Sequence, residues 1–164
     1  MRLTAARLRK ILHYSKSTGL FRWRVRPSNR VHIGDVAGTM SHGYVSIRID
    51  GVAHHAHRLA HLYVIGRWPK FEIDHKNRKR SNNRWRNIRE ATHAQNGHNK
   101  SAQSNNVSGF KGVWRRSNCI ARWSSMIKVR GKNIHLGMFG TPEAAHRAYV
   151  RAAKKHFKHF ARAA

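Results

Sequence analysis

The chain of 164 residues is long enough for one ordinary domain or two small ones, and it is too short for a large enzyme barrel. Its 34 Lys and Arg against 6 Asp and Glu give a formal net charge of +28, which predicts a polyanionic partner, with nucleic acid as the leading candidate. Hydrophobic residues make up 40% of the chain, which excludes a basic disordered tail.

The cysteine content and the N-terminus bear on the cellular compartment. Cys119 is the single cysteine, which excludes an intrachain disulfide and a Cys-rich zinc ribbon and is consistent with a reducing compartment. Residues 1–14 are Arg-rich and amphipathic and lack the long apolar core of a signal peptide or a membrane span. We expect a soluble, cytoplasmic protein that associates with nucleic acid.

The chain opens with the pattern of a helix. Apolar residues at positions 3, 8, 11 and 12 recur at helical spacing around Thr4, a favourable N-cap, and predict a helix over residues 5–14. Residues 20–25 then alternate apolar and basic side chains, as a half-buried strand does. Phe21, Trp23 and Val25 would share one face of that strand.

Three further strands are predicted before residue 57. They cover residues 35–38, 43–49 and 52–56, and the Asp50–Gly51 pair between the last two runs is a strong hairpin signal. Tyr44 begins the second of these alternating runs. We interpret it as part of the supporting sheet and not as a residue that takes part in chemistry.

A short helix is predicted next, ending at Gly66, and several histidines precede or enter it. Histidine clusters bind metals only where their geometry converges, and in a basic protein such residues more often pack or face phosphate. We therefore interpret these four as packing or phosphate-facing residues: His54, His55, His57 and His61.

The central segment, residues 72–96, holds three of the six acidic residues of the chain, Glu72, Asp74 and Glu90. Residues 71–75 and 87–91 predict two strands joined by a basic, Asn-rich loop, and a capping box at 92–95 predicts a helix after them. Asp74 followed by His75 offers an oxygen ligand for a hard divalent cation and a neutral imidazole base. The pattern indicates a metal-dependent nuclease centre, with the two glutamates as structural residues.

A second module follows a polar linker, which is predicted over residues 101–108. Residues 110–116, 122–130 and 133–139 alternate as the strands of a three-stranded antiparallel sheet do. Thr141 and Pro142 then predict the start of a helix that reaches about residue 157, whose alanine stripe can lie close on the sheet. The expected fold class is α+β.

The central segment resembles the HNH endonuclease superfamily, in its phage and intron-homing type. The resemblance is carried by Asp74-His75-Lys76-Asn77, Asn82-Asn83-Arg84, Asn87-Ile88-Arg89 and Thr92-His93-Ala94-Gln95-Asn96, with the upstream run from Ala56 to Ala60. It implies a β-rich HNH module of the ββα-metal type over residues 1–100, with the core motif at 71–100. It also makes a phage-encoded protein in a bacterial host an expected source.

This resemblance implies a role for each matched residue. His75 would be the general base, Asp74 and Asn96 would hold one divalent cation, and Asn87 would orient His75 through a hydrogen bond. Because Asn96 stands where many relatives have His, Mg²⁺ or Mn²⁺ is favoured over zinc. Arginines of the loop would grip the DNA backbone: Arg78, Arg80, Arg84 and Arg86.

Residues 109–164 resemble the AP2/ERF-type DNA-binding domain, through residues 108–113, 135–139 and 143–149. That family lays a sheet in the major groove, using the face opposite the helix. The side chains left to meet DNA here would be Trp114, Arg116, Arg122, Lys128 and His135. Trp114 stands where a base-reading Arg is common, so the target sequence does not carry over, and a merely solvated basic face is the alternative.

Together the resemblances imply a metal-dependent endonuclease that nicks or cleaves duplex DNA at a directed site. We expect one divalent cation per chain, no small-molecule cofactor, no membrane, and a monomer, with a dimer on DNA left open. Two alternatives remain. One is a noncatalytic DNA-binding regulator that retains an HNH scaffold, and the other is a basic RNA-binding or ribosome-associated protein.

Overall fold

The computed structural model describes residues 3–100, 102, 105–117 and 123–161. Cys119 and the predicted contact residue Arg122 lie outside these residues. The chain divides into two compact units, Met1–His93 and Ala94–Ala164. The domain boundaries at residues 100 and 109 stay a prediction.

The first unit contains short strands arranged around two helices. Its three small sheets are antiparallel, with strand orders β1-β2-β3, β4-β5-β6 and β7-β8. The elements, in chain order, are α1 (Ala5–Ile11), β1 (Leu12–Tyr14), β2 (Phe21–Trp23), β3 (Val36–Ala37), β4 (Thr39–Ser41), β5 (Tyr44–Ile49), β6 (Val52–His55), α2 (Ala56–Ile65), β7 (Glu72–His75) and β8 (Ile88–Ala91).

Helix α1 ends three residues before the predicted position. Thr4 is its N-cap, and the Thr4 Oγ1 accepts a hydrogen bond from the Arg7 backbone N–H at 3.2 Å. The prediction of helix up to residue 14 was wrong, because Leu12 to Tyr14 form β1 and pair with β2. Apolar spacing fits either structure here, and pairing with β2 decides for the strand, which buries Leu12 and Tyr14 on one side.

The predicted hairpin and second helix are confirmed. Ile49 pairs with Val52 across a turn whose residues, Asp50 and Gly51, have φ of 47° and 80°, as the favoured two-residue hairpin turn requires. Helix α2 ends at Gly66, which caps it in the left-handed conformation at φ 86°. Strand β4 was not predicted.

One hydrophobic core supports the first unit. Ile73 of β7 and Ile88 of β8 belong to it, so the strand end that carries Asp74 and His75 is fixed by burial of apolar surface. The large side chains of this core that are at most 1% exposed come from both helices and from β1, β2 and β5: Leu8, Leu12, Phe21, Ile47 and Leu59.

The second unit begins at Ala94, the second residue of helix α3 (His93–Asn99). It also contains the strands β9 (Val113–Arg115), β10 (Trp123–Val129) and β11 (Lys132–Phe139) and the helix α4 (Pro142–Phe157). The strands form an antiparallel sheet in the order β11-β10-β9, which confirms the predicted sheet. Helix α4 begins after Thr141, as predicted, and the Thr141 Oγ1 accepts from the Ala144 backbone N–H at 3.2 Å.

The core of the second unit lies between this sheet and α4. Ile127, Tyr149 and Ala153 are buried there, with Leu136 packed against them. Gly112, at φ 73°, allows the chain to pass directly over the Tyr149 ring, where any Cβ would clash. The helix therefore covers one face of the sheet, while Trp114, Lys128 and His135 are exposed.

A register shift alters the alternation along β11. Ser125 pairs with Gly137 and Met126 with His135, so Leu136 is the extra residue of a bulge. Simple alternation from residue 133 to residue 139 is thereby interrupted. Both Leu136 and His135 nevertheless keep their expected environments, the first half-buried in the core and the second exposed.

The helices of the chain are short compared with the about 20 apolar residues that a bilayer span needs. Helix α4, with 16 residues, also carries Lys and Arg side chains. Within the described residues, no helix is both long enough and apolar enough to cross a membrane.

Candidate active site

The antiparallel pair β7–β8 presents Asp74 and His75 at its end. The pairing sets Asp74 opposite Arg89 and His75 opposite Ile88. Asp74 is 4% and His75 5% exposed, which is unusual for ionisable side chains and requires polar partners. These partners come from β8 and from the loop between the strands.

Arg89 is the partner of the Asp74 carboxylate. Its Nε and Nη2 both donate to the Asp74 Oδ2, at 2.9 and 2.7 Å. The ion pair fixes the carboxylate plane and occupies one of its two oxygens. Sequence analysis did not assign this role to Arg89. The signal was the strand register: in an antiparallel pair where residue 75 lies opposite residue 88, residue 74 lies opposite residue 89.

Asn83 is the partner of the His75 imidazole. The His75 Nε2 lies 3.0 Å from the Asn83 Oδ1, and the Asn83 Nδ2 donates to the Ser81 carbonyl at 3.4 Å. With the amide oriented this way, Nε2 carries the proton, so the lone pair of the neutral ring is on Nδ1. Burial lowers the pKa of His75, which keeps the ring neutral and able to accept a proton.

The structure gives the Asn87 amide partners other than the His75 imidazole. Asn87 lies at the end of a short 3-10 turn, Trp85–Asn87, and its amide faces the loop backbone. Its Nδ2 donates to the Asn82 carbonyl at 2.7 Å, and its Oδ1 accepts from the Asn77 N–H at 3.1 Å. Asn87 therefore closes the loop, while Asn83 contacts His75.

The backbone that carries Asn83 is held by the N-terminal part of the first unit. The buried Tyr14 hydroxyl donates to the Asn83 carbonyl at 2.6 Å, and the Trp85 N–H donates to the Lys16 carbonyl at 3.0 Å. Gly19, at φ 78°, lies so close to the Asn83 backbone that any Cβ would clash. A tight turn nearly 70 residues upstream thus fixes the partner of His75.

Aromatic rings surround His75 on its other sides. The His57 ring meets it edge to face at 5.1 Å between centroids, and the Tyr44 ring lies at 6.2 Å. His57 is 6% exposed, and its Nδ1 has no hydrogen-bond partner in the described part of the chain. Burial, followed by the neighbouring His75, His55 and Arg58, lowers the pKa of His57 to about 3, so this ring is a neutral packing partner.

With this geometry the chain was compared with known proteins. Residues 54–98 match the model of the HNH endonuclease family. No curated protein and no solved structure matches the chain. The HNH match begins at His54 of β6 and ends at His98 of α3, so it includes the β7–β8 pair and excludes α1, β1 and the sheet of the second unit.

The HNH match supports a DNA-cleaving function at the level of the family. Within the matched residues, the four positions to which the resemblance gives catalytic or metal roles are Asp74, His75, Asn87 and Asn96. The first three lie in the first unit, and Asn96 lies half-buried on α3, among the residues of the second unit.

The HNH resemblance implies that Asp74 and Asn96 bind a hard divalent cation. Among the described residues no group of three His, Cys, Asp or Glu side chains could hold a metal. A carboxylate and an amide oxygen are the ligands that Mg²⁺ takes when it keeps several waters and binds substrate phosphate. Asp74 and Asn96 provide these chemical types, with the Asp74 Oδ2 shared with Arg89.

The predicted DNA-contacting arginines of the loop are all exposed: Arg78, Arg80, Arg84 and Arg86. In the second unit, Trp114 is 37% exposed, and Arg116, Lys128 and His135 are exposed as well. His135 shares a hydrogen bond with the buried Ser124, at 2.9 Å between Nε2 and Oγ. Both sets are accessible to a polyanion.

Proposed function

We propose that the chain is a metal-dependent DNA endonuclease that hydrolyses phosphodiester bonds in duplex DNA. The observation that carries this proposal is the buried His75 imidazole, whose Nε2 is hydrogen-bonded to Asn83 and which follows Asp74 at the end of β7. The family match over residues 54–98 and the net charge of +28 support it.

In this function His75 would take a proton from the attacking water on Nδ1. A base must be neutral and fixed in direction to do so, and burial and the Asn83 amide meet these two requirements. Asp74 and Asn96 would hold the divalent cation, Mg²⁺ or Mn²⁺. When bound, such an ion neutralises charge on the phosphate and on the leaving oxygen.

Placement on DNA would come from the basic surfaces. The loop arginines would contact backbone phosphates near the cut, and the exposed face of the second sheet would act as an AP2/ERF-like reader. Phosphate contacts set position, and only contacts to base edges read sequence. The proposed reader residues are Trp114, Arg116, Arg122, Lys128 and His135.

The test is cleavage of supercoiled plasmid and phage DNA by the purified protein with Mg²⁺ or Mn²⁺, in parallel reactions with and without EDTA. We expect nicked DNA, since a monomer with one HNH centre cuts one strand per event, and no product with EDTA. His75→Ala should bind DNA normally and cut at least about 100-fold more slowly, because a general base contributes on that order. Metal-dependent cutting that survives His75→Ala would contradict the assignment.

A second function is favoured by one observation. The Arg89 guanidinium directs two donors at the Asp74 Oδ2, which reduces the charge available to a cation. A noncatalytic DNA-binding protein with an HNH scaffold would show tight, salt-sensitive binding to DNA and no strand scission with any divalent metal. The same plasmid assay separates this alternative from the endonuclease.

A further inference from the structure

Tyr44 lies at the centre of the rings beside His75. Its centroid is 5.0 Å from His55, 5.2 Å from His57 and 6.2 Å from His75. Tyr44 is the first residue of β5 and is half-buried. The sequence-based interpretation of Tyr44 as a plain supporting residue omits these contacts with the candidate base and its neighbours.

The Arg80 guanidinium lies over the Tyr44 ring. Its Cζ is 4.8 Å from the ring centroid, which is within the range of a cation–π contact. The Arg80 side chain also passes the β4–β5 turn, where a Cβ on Gly43 would lie 3.8 Å from both Cδ and Nη1. The ring and the turn together restrict a long exposed side chain that would otherwise sample many rotamers.

Among the described residues, Arg80 forms no ion pair with an acidic side chain; the ion pairs of the Asp and Glu residues are with other Arg and His side chains. The ring that holds this guanidinium is itself 6.2 Å from the His75 ring, and a guanidinium has the planar donor fork that binds phosphate oxygens.

We propose that Tyr44 is a positioning residue that holds the Arg80 guanidinium beside His75, where it binds the phosphate group under attack. The inference rests on the proposed endonuclease function and adds a cationic group of the chain itself to that site. It also separates Arg80 from the other loop arginines, which would contact neighbouring phosphates.

The chemical step is hydrolysis of one phosphodiester. The water oxygen bonds to phosphorus while its proton passes to His75, the bond from phosphorus to the leaving 3′ oxygen breaks, and that oxygen takes a proton from solvent. Negative charge on the non-bridging oxygens is redistributed as the bonds change. A donor already fixed at these oxygens stabilises the transition state more than one that must first be ordered.

The first unit provides a matched control, because Arg9 lies over the Tyr63 ring in the same manner, at 5.7 Å. Its Nε and Nη2 donate to the Tyr63 carbonyl at 3.0 and 2.6 Å. The ring neighbours of Tyr63 are Tyr14 and Phe21, and His75 is not among them. Arg9→Ala therefore tests the general effect of losing a contact between an Arg side chain and a Tyr ring.

The experiment measures single-turnover cleavage of a labelled duplex at saturating protein and Mg²⁺, together with DNA affinity. Arg80→Ala should cut about 100-fold more slowly, as loss of a transition-state donor does. Tyr44→Leu should cut about tenfold more slowly, whereas Tyr44→Phe keeps the ring face and the rate. Arg9→Ala should leave the rate unchanged, and DNA affinity should change little in the Tyr44 variants.

Chemical rescue sharpens the test. Free guanidinium, added far below denaturing concentrations, should restore part of the rate of Arg80→Ala, and restore less in Arg80→Ala with Tyr44→Leu, which lacks the ring face. Equal rates for Tyr44→Leu and Tyr44→Phe, or equal rescue with and without the ring, would overturn the inference. If Tyr44→Leu does not fold, Arg80→Lys decides: it keeps the charge without the planar fork, and an undiminished rate overturns the inference.

The two proposals fail in different ways. If the unsubstituted protein cuts no DNA with any divalent metal, the endonuclease function itself fails, and the role of Arg80 in it fails too. If the unsubstituted protein cuts and His75→Ala does not, while the Tyr44 and Arg80 variants cut normally, the endonuclease function stands and the roles proposed for Tyr44 and Arg80 are wrong.

Discussion

The surroundings of His75 and the exposed sheet face of the second unit differ in how firmly their side chains are held. Asp74, His75 and Asn83 are at most 5% exposed, and each has a hydrogen bond to a named partner. On the sheet face, Trp114 is 37% exposed and His135 is tied by a single bond to Ser124. A catalytic reaction requires side chains in a fixed geometry, whereas contacts with the phosphate backbone of a nucleic acid tolerate side-chain movement.

The largest expected effect tests whether the buried site depends on its ion pair. Arg89→Met removes both guanidinium donors from the buried Asp74 carboxylate and should lower the free energy of unfolding by about 3 kcal/mol. The control is Arg7→Met, which removes an exposed pair with Asp50 and should cost at most about 1 kcal/mol. Urea unfolding measures the free energy of unfolding of both variants. Equal decreases would contradict the expectation that the buried ion pair matters more than the exposed one.

The second prediction tests which asparagine orients the base. Asn83→Ala removes the hydrogen bond to the His75 Nε2 and should lower kcat by about 100-fold with little change in DNA affinity, because the ring loses its fixed direction. Asn87→Ala removes only contacts to the loop backbone and should lower kcat less. A larger effect from Asn87 than from Asn83 would contradict the assignment.

The third prediction concerns pH and the rings packed on His75. Burial lowers the pKa of His57 to about 3, so the folded protein does not take up the proton that the unfolded chain binds below its usual pKa. Stability is therefore full above pH of about 6.5 and falls as the pH approaches 3, by up to about 1.4 kcal/mol per pH unit for this group.

Unfolding free energies measured between neutral and acid pH check this dependence. His57→Leu should flatten it, whereas His13→Leu, which changes an exposed histidine of β1, should leave the slope in place. An unchanged slope in His57→Leu would show that other groups dominate acid unfolding.

The smallest expected effects lie on the sheet face. Trp114→Ala should weaken DNA binding by about tenfold, the loss of one stacking contact, with the rate at saturating DNA unchanged. Lys128→Ala should reduce the slope of log affinity against log salt concentration by about 1, as expected for the loss of one phosphate contact. Titrations at several salt concentrations measure both, and a loss of rate at saturating DNA would contradict the division of roles.

Local patterns were sufficient for most elements. The Asp50–Gly51 hairpin, the Gly66 cap and the Thr141-Pro142 start of α4 follow from residues whose own conformation determines the structure. Residues 12–14 were assigned wrongly, because their apolar spacing suits a helix and a strand equally. Pairing with β2, which no local pattern contains, decides for the strand.

The candidate site was predictable in its residue types and less so in its connections. Asp74 and His75 are adjacent at a strand end, so the sequence alone joins them. The loop contains several asparagines, and which of them meets His75 depends on the path of the loop. That path is set by Tyr14 and Gly19, far away in the chain, so it could not be read from the motif.

The hydrogen bond from Tyr14 to Asn83 has a consequence for the portability of the motif. Residues 54–98 carry the family signature, but the turn that shapes their loop is encoded some 40 residues before that span begins. A graft of the matched span alone into another protein would keep His75 but would lose this hydrogen bond and, with it, the fixed position of the Asn83 amide that orients the ring. The smallest transferable unit of this site therefore includes the segment from Tyr14 to Gly19.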